Sequence, residues 1–160
     1  MYVRIMLGFF CVLAVIFAFT YDLAASVVRE KRSFEDQVRA WTAERTGITE
    51  IDEILEYRGK EAYAVVIGKN RVGTPVIAWM NEKTLQFDTL ERAVPHAHVE
   101  EAVRKGHPDA QIVKIVPGLD GDLRFWEVTL RETDGRFVYI HYDFYTGQVL
   151  KSYSVQAISS

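Results

Sequence analysis

His96 and His98, with Glu101 shortly after and His107 beyond, form the one cluster in this chain with the donor types of a zinc site. Two imidazoles and a carboxylate can surround one ion. Their spacing is not that of a helical zinc motif, in which the histidines share one helix face, and solvated or helix-capping histidines are the simpler expectation. The adjacent carboxylates Asp52-Glu53 and Glu100-Glu101 point apart on either a strand or a helix, so neither pair can straddle a substrate. His141, inside an aromatic run, reads as a sheet-face residue rather than a general base. There is no Gly-x-Ser-x-Gly elbow, no phosphate-binding glycine loop followed by a helix and no His-Glu-x-x-His. The expectation is a protein with no catalytic residues, no metal and no cofactor, hence not an enzyme.

The composition is that of a globular protein, with 49% hydrophobic and 26% charged residues in a chain of 160. A formal net charge of -3, with no block of lysine and arginine, gives no electrostatic reason to expect nucleic acid. The one cysteine, Cys11, lies in an apolar run, so no intramolecular disulfide can form. That run, Ile5 to Tyr21, is uncharged between Arg4 and Asp22. As a helix it extends roughly 25 Å at ~1.5 Å per residue, nearly the thickness of a bilayer core. It reads as an uncleaved signal anchor with the N-terminus inside and the following chain exported; a cleaved signal peptide ending at a small-x-small site is the alternative.

The rest reads as one unit written twice. Phe34, Val38, Trp41 and Arg45 recur at helical spacing up to Gly47, with Ser33 and Asp36 as candidate caps, or else the helix continues straight from the apolar run. Strand-like stretches follow at 51–57, 62–67, 75–80 and 85–90. A second helix opens at Pro95, carries Val99, Ala102 and Val103, and closes at Gly106; strands are then expected at 111–116, 123–131, 136–145 and 148–153. Turns are expected at Gly68–Gly73, Pro117–Gly121, Thr133–Gly135 and Thr146-Gly147. Laid on each other, the halves match Tyr63 with Trp126, Gly73 with Gly135, Val76 with Val138, Ala78 with Ile140, Asn81 with Asp143 and Thr84 with Thr146. Strands that follow strands directly imply antiparallel sheets, each with a helix across it.

Both halves carry a strand that is apolar on two sides. Phe137, Tyr139 and His141 alternate with Val138, Ile140 and Tyr142, and Pro75, Ile77 and Trp79 alternate with Val76, Ala78 and Met80. One face must meet the helix. The other needs a cover, either the neighbouring repeat or a partner protein, which makes Ile77, Trp79, Phe137, Tyr139 and His141 the candidate partner-binding residues. The trio Asp143, Thr146 and Gly147 is expected to form a turn rather than a binding site.

The stretch Trp126-Glu-Val-Thr-Leu, Asp134-Gly-Arg-Phe-Val-Tyr-Ile-His-Tyr-Asp143 and Thr146-Gly-Gln-Val resembles the PepSY domain, with its aromatic-x-Val strand, Asp-Gly turn and Asp-x-x-Thr-Gly-x-Val ending. The first half, from Thr46-Gly-Ile through Glu56-Tyr-Arg-Gly-Lys-Glu-Ala-Tyr to Gly73-Thr-Pro-Val-Ile-Ala-Trp-Met, is similar to the companion domain of the YpmB/TseB-like family. It departs from the PepSY pattern in having Asn81-Glu-Lys-Thr84-Leu where the second half has Asp143 and Thr146-Gly147. The resemblance implies an α+β, cystatin-like double domain on the outer face of a Gram-positive cell membrane, linked to regulation of cell-wall elongation through a penicillin-binding protein. The expected division is 1–22 as transmembrane anchor, with the membrane met through residues 5–21, then 23–92 and 93–160 as the two PepSY-like domains. A PepSY-type peptidase inhibitor or chaperone module is the alternative function.

Overall fold

The computed structural model describes residues 2–155, and of residues 2–15 and 24 the backbone only. The chain divides into two compact units, residues 1–41 and 42–160. The first is the greater part of one long helix, α1 (Tyr2–Arg45). It runs unbroken through Ser33 and Asp36, so of the two expectations the continuous helix holds and no cap forms there. Ile16, Phe17, Phe19 and Tyr21 are exposed on it. Among the described residues no helix is long and apolar enough to cross a membrane. Most of the apolar run Ile5 to Tyr21 lies outside the residues whose side chains are described.

The second unit opens with the last turn of α1 and continues through two four-stranded antiparallel sheets. The first sheet holds β1 (Ile48–Arg58), β2 (Ala62–Asn70), β3 (Pro75–Met80) and β4 (Leu85–Thr89) in the order β1-β2-β3-β4. A 3-10 turn at Leu90–Arg92 leads to α2 (His96–Gly106). The second sheet repeats the plan as β5 (Gln111–Asp120), β6 (Leu123–Arg131), β7 (Phe137–Asp143) and β8 (Val149–Val155), in the order β5-β6-β7-β8. Two identical meanders, each preceded by a helix, are the α+β architecture that the internal repeat implies.

Side-chain alternation divides each strand between two layers. Val138, Ile140 and Tyr142 of β7 are buried and join one apolar cluster with Val99 and Val103 of α2 and with Val128 and Leu130 of β6. The Trp126 indole N–H donates to the Val94 carbonyl at 3.1 Å, fixing the segment that leads into α2. In the first sheet both sides of β3 are closed. Thr42 Oγ1 donates to Met80 Sδ at 4.0 Å, while Ile77 and Trp79 on the opposite side belong to the same cluster as Leu119, Phe125 and Phe144 of the second repeat. The Trp79 indole N–H donates to the Pro117 carbonyl of β5 at 3.2 Å, a buried bond that ties the two sheets together.

Expected elements appear within a few residues of their anticipated ends, with one clear correction. Pro117 to Gly121 is not a turn: β5 runs through Pro117 and Gly118 to Asp120, and the reversal is made by Gly121 at φ 61°. Pro117 is tolerated because β5 is an edge strand, where a missing N–H costs no ladder bond. The Asp143 turn is as expected. Asp143 Oδ1 accepts from the amides of Tyr145 (3.0 Å) and Thr146 (2.7 Å) and from the Thr146 hydroxyl (2.9 Å), and Gly147 takes φ 70°. In the first repeat Asn81 Oδ1 accepts from the amides of Lys83 and Thr84, so the departure from the Asp-x-x-Thr-Gly pattern leaves the turn chemistry intact. Asp143→Ala, which orphans two amides and a hydroxyl in a largely solvated turn, is expected to cost about 1 kcal/mol, read as a lowered urea midpoint with unchanged slope.

Candidate functional site

The side of the second sheet that faces away from α2 is only partly covered. Near Gly118 it is closed by Tyr57, whose ring meets Phe125 edge-on at 5.6 Å. Beyond Phe125 it opens into a groove of about 510 Å³, walled by Tyr57 to Lys60 at the end of β1 and floored by Lys114, Glu127, Thr129, Tyr139, His141, Lys151 and Tyr153. The register sets these side by side: Lys114 opposite Thr129, Thr129 opposite Tyr139, Tyr139 opposite Tyr153, and Glu127 opposite His141, itself opposite Lys151. Odd-numbered residues of β6, β7 and β8 therefore share one face, as period-2 alternation requires.

At the groove's centre lies a charged group that an apolar strand would not be expected to carry. Glu127 is only 5% exposed. Its carboxylate meets His141 Nε2 at 3.3 Å and Lys114 Nζ at 3.3 Å. Burial pushes the Glu127 carboxyl up, but the hydrogen bonds from His141 and Lys114 and the Lys114 charge outweigh it and hold the group below its usual value of 4.5. A carboxylate depressed in the folded state stabilises the fold above its unfolded value and loses that contribution as pH falls through the folded value. The urea midpoint is thus expected to fall more steeply below pH 4.5 in the parent chain than in Glu127→Gln; parallel slopes would mean that the ion pair adds nothing.

Aromatic packing immobilises the site. The His141 ring stacks on Phe125 at 4.1 Å and 9°, and Tyr139 stacks on Tyr153 at 5.2 Å and 12°. Lys151 Nζ lies 4.6 Å over the Tyr153 ring. Burial pushes the Tyr153 and Tyr57 hydroxyls up, helped by the Glu127 charge, so both remain protonated donors. The Thr129 hydroxyl, in a residue 4% exposed, is buried without a hydrogen-bond partner. This set can bind and orient a ligand through cations, hydroxyls and flat rings. The carboxylate is already occupied by Lys114 and His141, and no hydroxyl or thiol stands beside a base in the arrangement of a nucleophile.

Of the residues expected to bind a partner, Tyr139 and His141 line this groove and Phe137 sits half-buried beside it on β7. Ile77 and Trp79 do not: both are wholly buried in the core between the sheets, so the second repeat is their cover and they present no surface to another molecule. The histidine cluster is dispersed, since the His96 ring packs against Trp126 and His107 Nδ1 is 2.9 Å from Glu132. Lys114, Glu127, Thr129, Lys151 and Tyr153 escape a reading for chemistry because none lies in a catalytic or metal-binding motif. The available signal was Glu127 and Thr129 alternating within Trp126-Glu-Val-Thr-Leu, two polar residues on one face of an otherwise apolar strand.

Two four-stranded antiparallel meanders in tandem, with α2 packed on one face of the second sheet and a polar groove on its other face, define an α+β protein of PepSY-like units. Residues 43–81 match the cell wall elongation regulator TseB-like domain, and residues 91–153 match the peptidase propeptide and YPEB domain. A Bacillus subtilis protein described as probable cell wall elongation regulator TseB is 24% identical over 131 residues, covering 79% of this chain and 81% of that protein. The solved structure of YpmB protein from Bacillus subtilis superposes with a TM-score of 0.65 at 20% identity, over 75% of this chain and 96% of that one. Across both halves the chain is similar to the YpmB/TseB-like family.

Proposed function

We propose that this protein is a non-enzymatic regulator, anchored in the cell membrane by residues 1–22 with its two domains, 23–92 and 93–160, on the extracytoplasmic side, and that it binds a protein partner engaged in cell-wall synthesis, of the penicillin-binding type. The observation that carries the reading is similarity to a probable cell wall elongation regulator over most of both chains. The groove around Tyr139 and His141 supplies a surface for the partner, and the run Ile5 to Tyr21 supplies the anchor. Regulation without catalysis suits a site that has cations, hydroxyls and rings but no activated nucleophile.

The test is photo-crosslinking in cells from positions 139 and 153 of the full-length chain, with the adducts identified by mass spectrometry. Capture of a cell-wall synthase is the expected result, and adducts confined to the chain itself would overturn the reading. Because residues 91–153 match a peptidase propeptide domain, a secreted peptidase in the adducts would instead favour the inhibitor or chaperone function. A version cleaved after Thr20 or Ser26 and found in the medium would remove the anchor.

A further inference from the structure

The strand that forms the open rim of the groove is paired on one side only. β8 is last in the order β5-β6-β7-β8, so its outer edge carries no neighbouring strand among the described residues. Every residue of β8 is exposed, including the apolar Val149, Leu150, Tyr153 and Val155. Folded proteins guard such an edge with proline, bulges or several charges, because its free N–H and C=O groups are a template for another strand. β8 has no proline and one charge, Lys151. The irregularity in its pairing falls at the start, between His141 and Tyr142 of β7, leaving the stretch opposite Phe137 to His141 regular.

The groove beside this edge has a sign. Arg58, Lys60, Lys114 and Lys151 line it against two carboxylates, Asp120 and Glu127, in a chain whose formal net charge is -3. Arg58 pairs with Glu56 at 2.8 Å, Lys60 with Asp120 at 2.8 Å and Lys114 with Glu127 at 3.3 Å. Lys151 makes no ion pair among the described residues and lies over the Tyr153 ring, on the strand edge itself. The buried Thr129 hydroxyl, still without a partner, is on the floor between Lys114 and Tyr139.

We infer that the outer edge of β8 receives an extended acidic segment of a partner protein, which adds to the sheet as a further strand and turns its acidic side chains toward Lys151. Backbone hydrogen bonds to β8 supply affinity without regard to sequence, and alternate side chains, which all fall on the groove side, supply the choice of acidic residues. The bound strand covers the exposed apolar residues of β8. This deepens the partner-binding reading above and rests on it for the partner being a protein.

The test uses the full-length chain in detergent micelles and three synthetic peptides, each alternating threonine and valine around a central residue that is glutamate, lysine, or glutamate with alternate backbone amides methylated. Backbone amide shifts are followed by NMR as each peptide is titrated to millimolar concentration. The expected result is shifts concentrated in Val149–Val155 with the glutamate peptide, weaker binding of the lysine peptide and loss of binding on methylation. Lys151→Glu, an exposed change that the fold should tolerate, is expected to weaken the glutamate peptide about threefold to fivefold and to favour the lysine peptide. No shift in β8, equal binding of the two charges, or binding that survives methylation overturns the inference, as do β8 shifts caused by chitotriose and not by the acidic peptide, which would make the groove a sugar site. Capture of a cell-wall synthase from position 139 alongside any of these negatives would leave the regulatory function standing and remove only the added strand.

Discussion

Trp79→Ala is expected to lower the unfolding free energy by about 3 to 5 kcal/mol, within the range for removing a fully buried large aromatic. Trp79 has no accessible surface. Its ring meets Phe144 edge-on at 5.4 Å, Arg124 lies 5.7 Å over it, and its N–H donates to the Pro117 carbonyl. Alanine leaves a cavity at the junction of the two sheets and strips a buried carbonyl of its donor, and the surrounding strands cannot collapse into the gap without breaking register. Trp79→Phe restores most of the volume but not the bond, and is expected to cost about 1 to 3 kcal/mol. Urea unfolding of both variants, followed by near-ultraviolet dichroism, separates the contributions. A loss below about 1 kcal/mol for alanine would show that the sheets are held together elsewhere.

Gly118→Ala is the second large effect, and its consequence reaches the groove. A Cβ at Gly118 would lie 2.4 Å from Phe125 Cε2, 2.8 Å from its Cζ and 2.9 Å from Tyr57 Cε2. The Phe125 ring cannot yield freely, since it is buried between the Tyr57 edge and the His141 ring stacked at 4.1 Å. Overpacking of this kind costs about 1 to 3 kcal/mol. Any shift of Phe125 that relieves it pushes His141 away from Glu127. The variant is therefore expected to lower the urea midpoint and also to move the His141 imidazole resonances, whereas Asp143→Ala moves the midpoint alone. Unmoved His141 resonances in a destabilised Gly118→Ala chain would mean that the strand backbone, not the ring, absorbs the clash.

The repeated meander was legible in the sequence because its signals are local. Asp134-Gly135 turns the β6-β7 hairpin with Gly135 at φ 85°, and Gly73 does the same for β2-β3 at φ 83°. Apolar alternation in 75–80 and 137–143 located β3 and β7. The reversal after β5 was misjudged because proline and glycine in Pro117-Gly118 are strong breakers in isolation; only the position of β5 at a sheet edge makes them acceptable there. Ser33 and Asp36 left both a helix start and a continuous helix open, since a cap is a local signal and the continuity of α1 is not.

The site divides along the same line. By the repeat alignment Ile77 corresponds to Tyr139 and Trp79 to His141, and the residues themselves established that each strand had a second apolar face in need of cover. Which cover each received was decided by the tertiary arrangement. The second repeat fills the face of Ile77 and Trp79, so those side chains became core, while the equivalent face of Tyr139 and His141 is closed only as far as Phe125 and stays open as the groove. Alternation along a strand reports which side chains share a face, because that is a property of the pleat. What lies opposite the face depends on residues such as Pro117 and Tyr57, far away along the chain, and no periodicity within a strand encodes them.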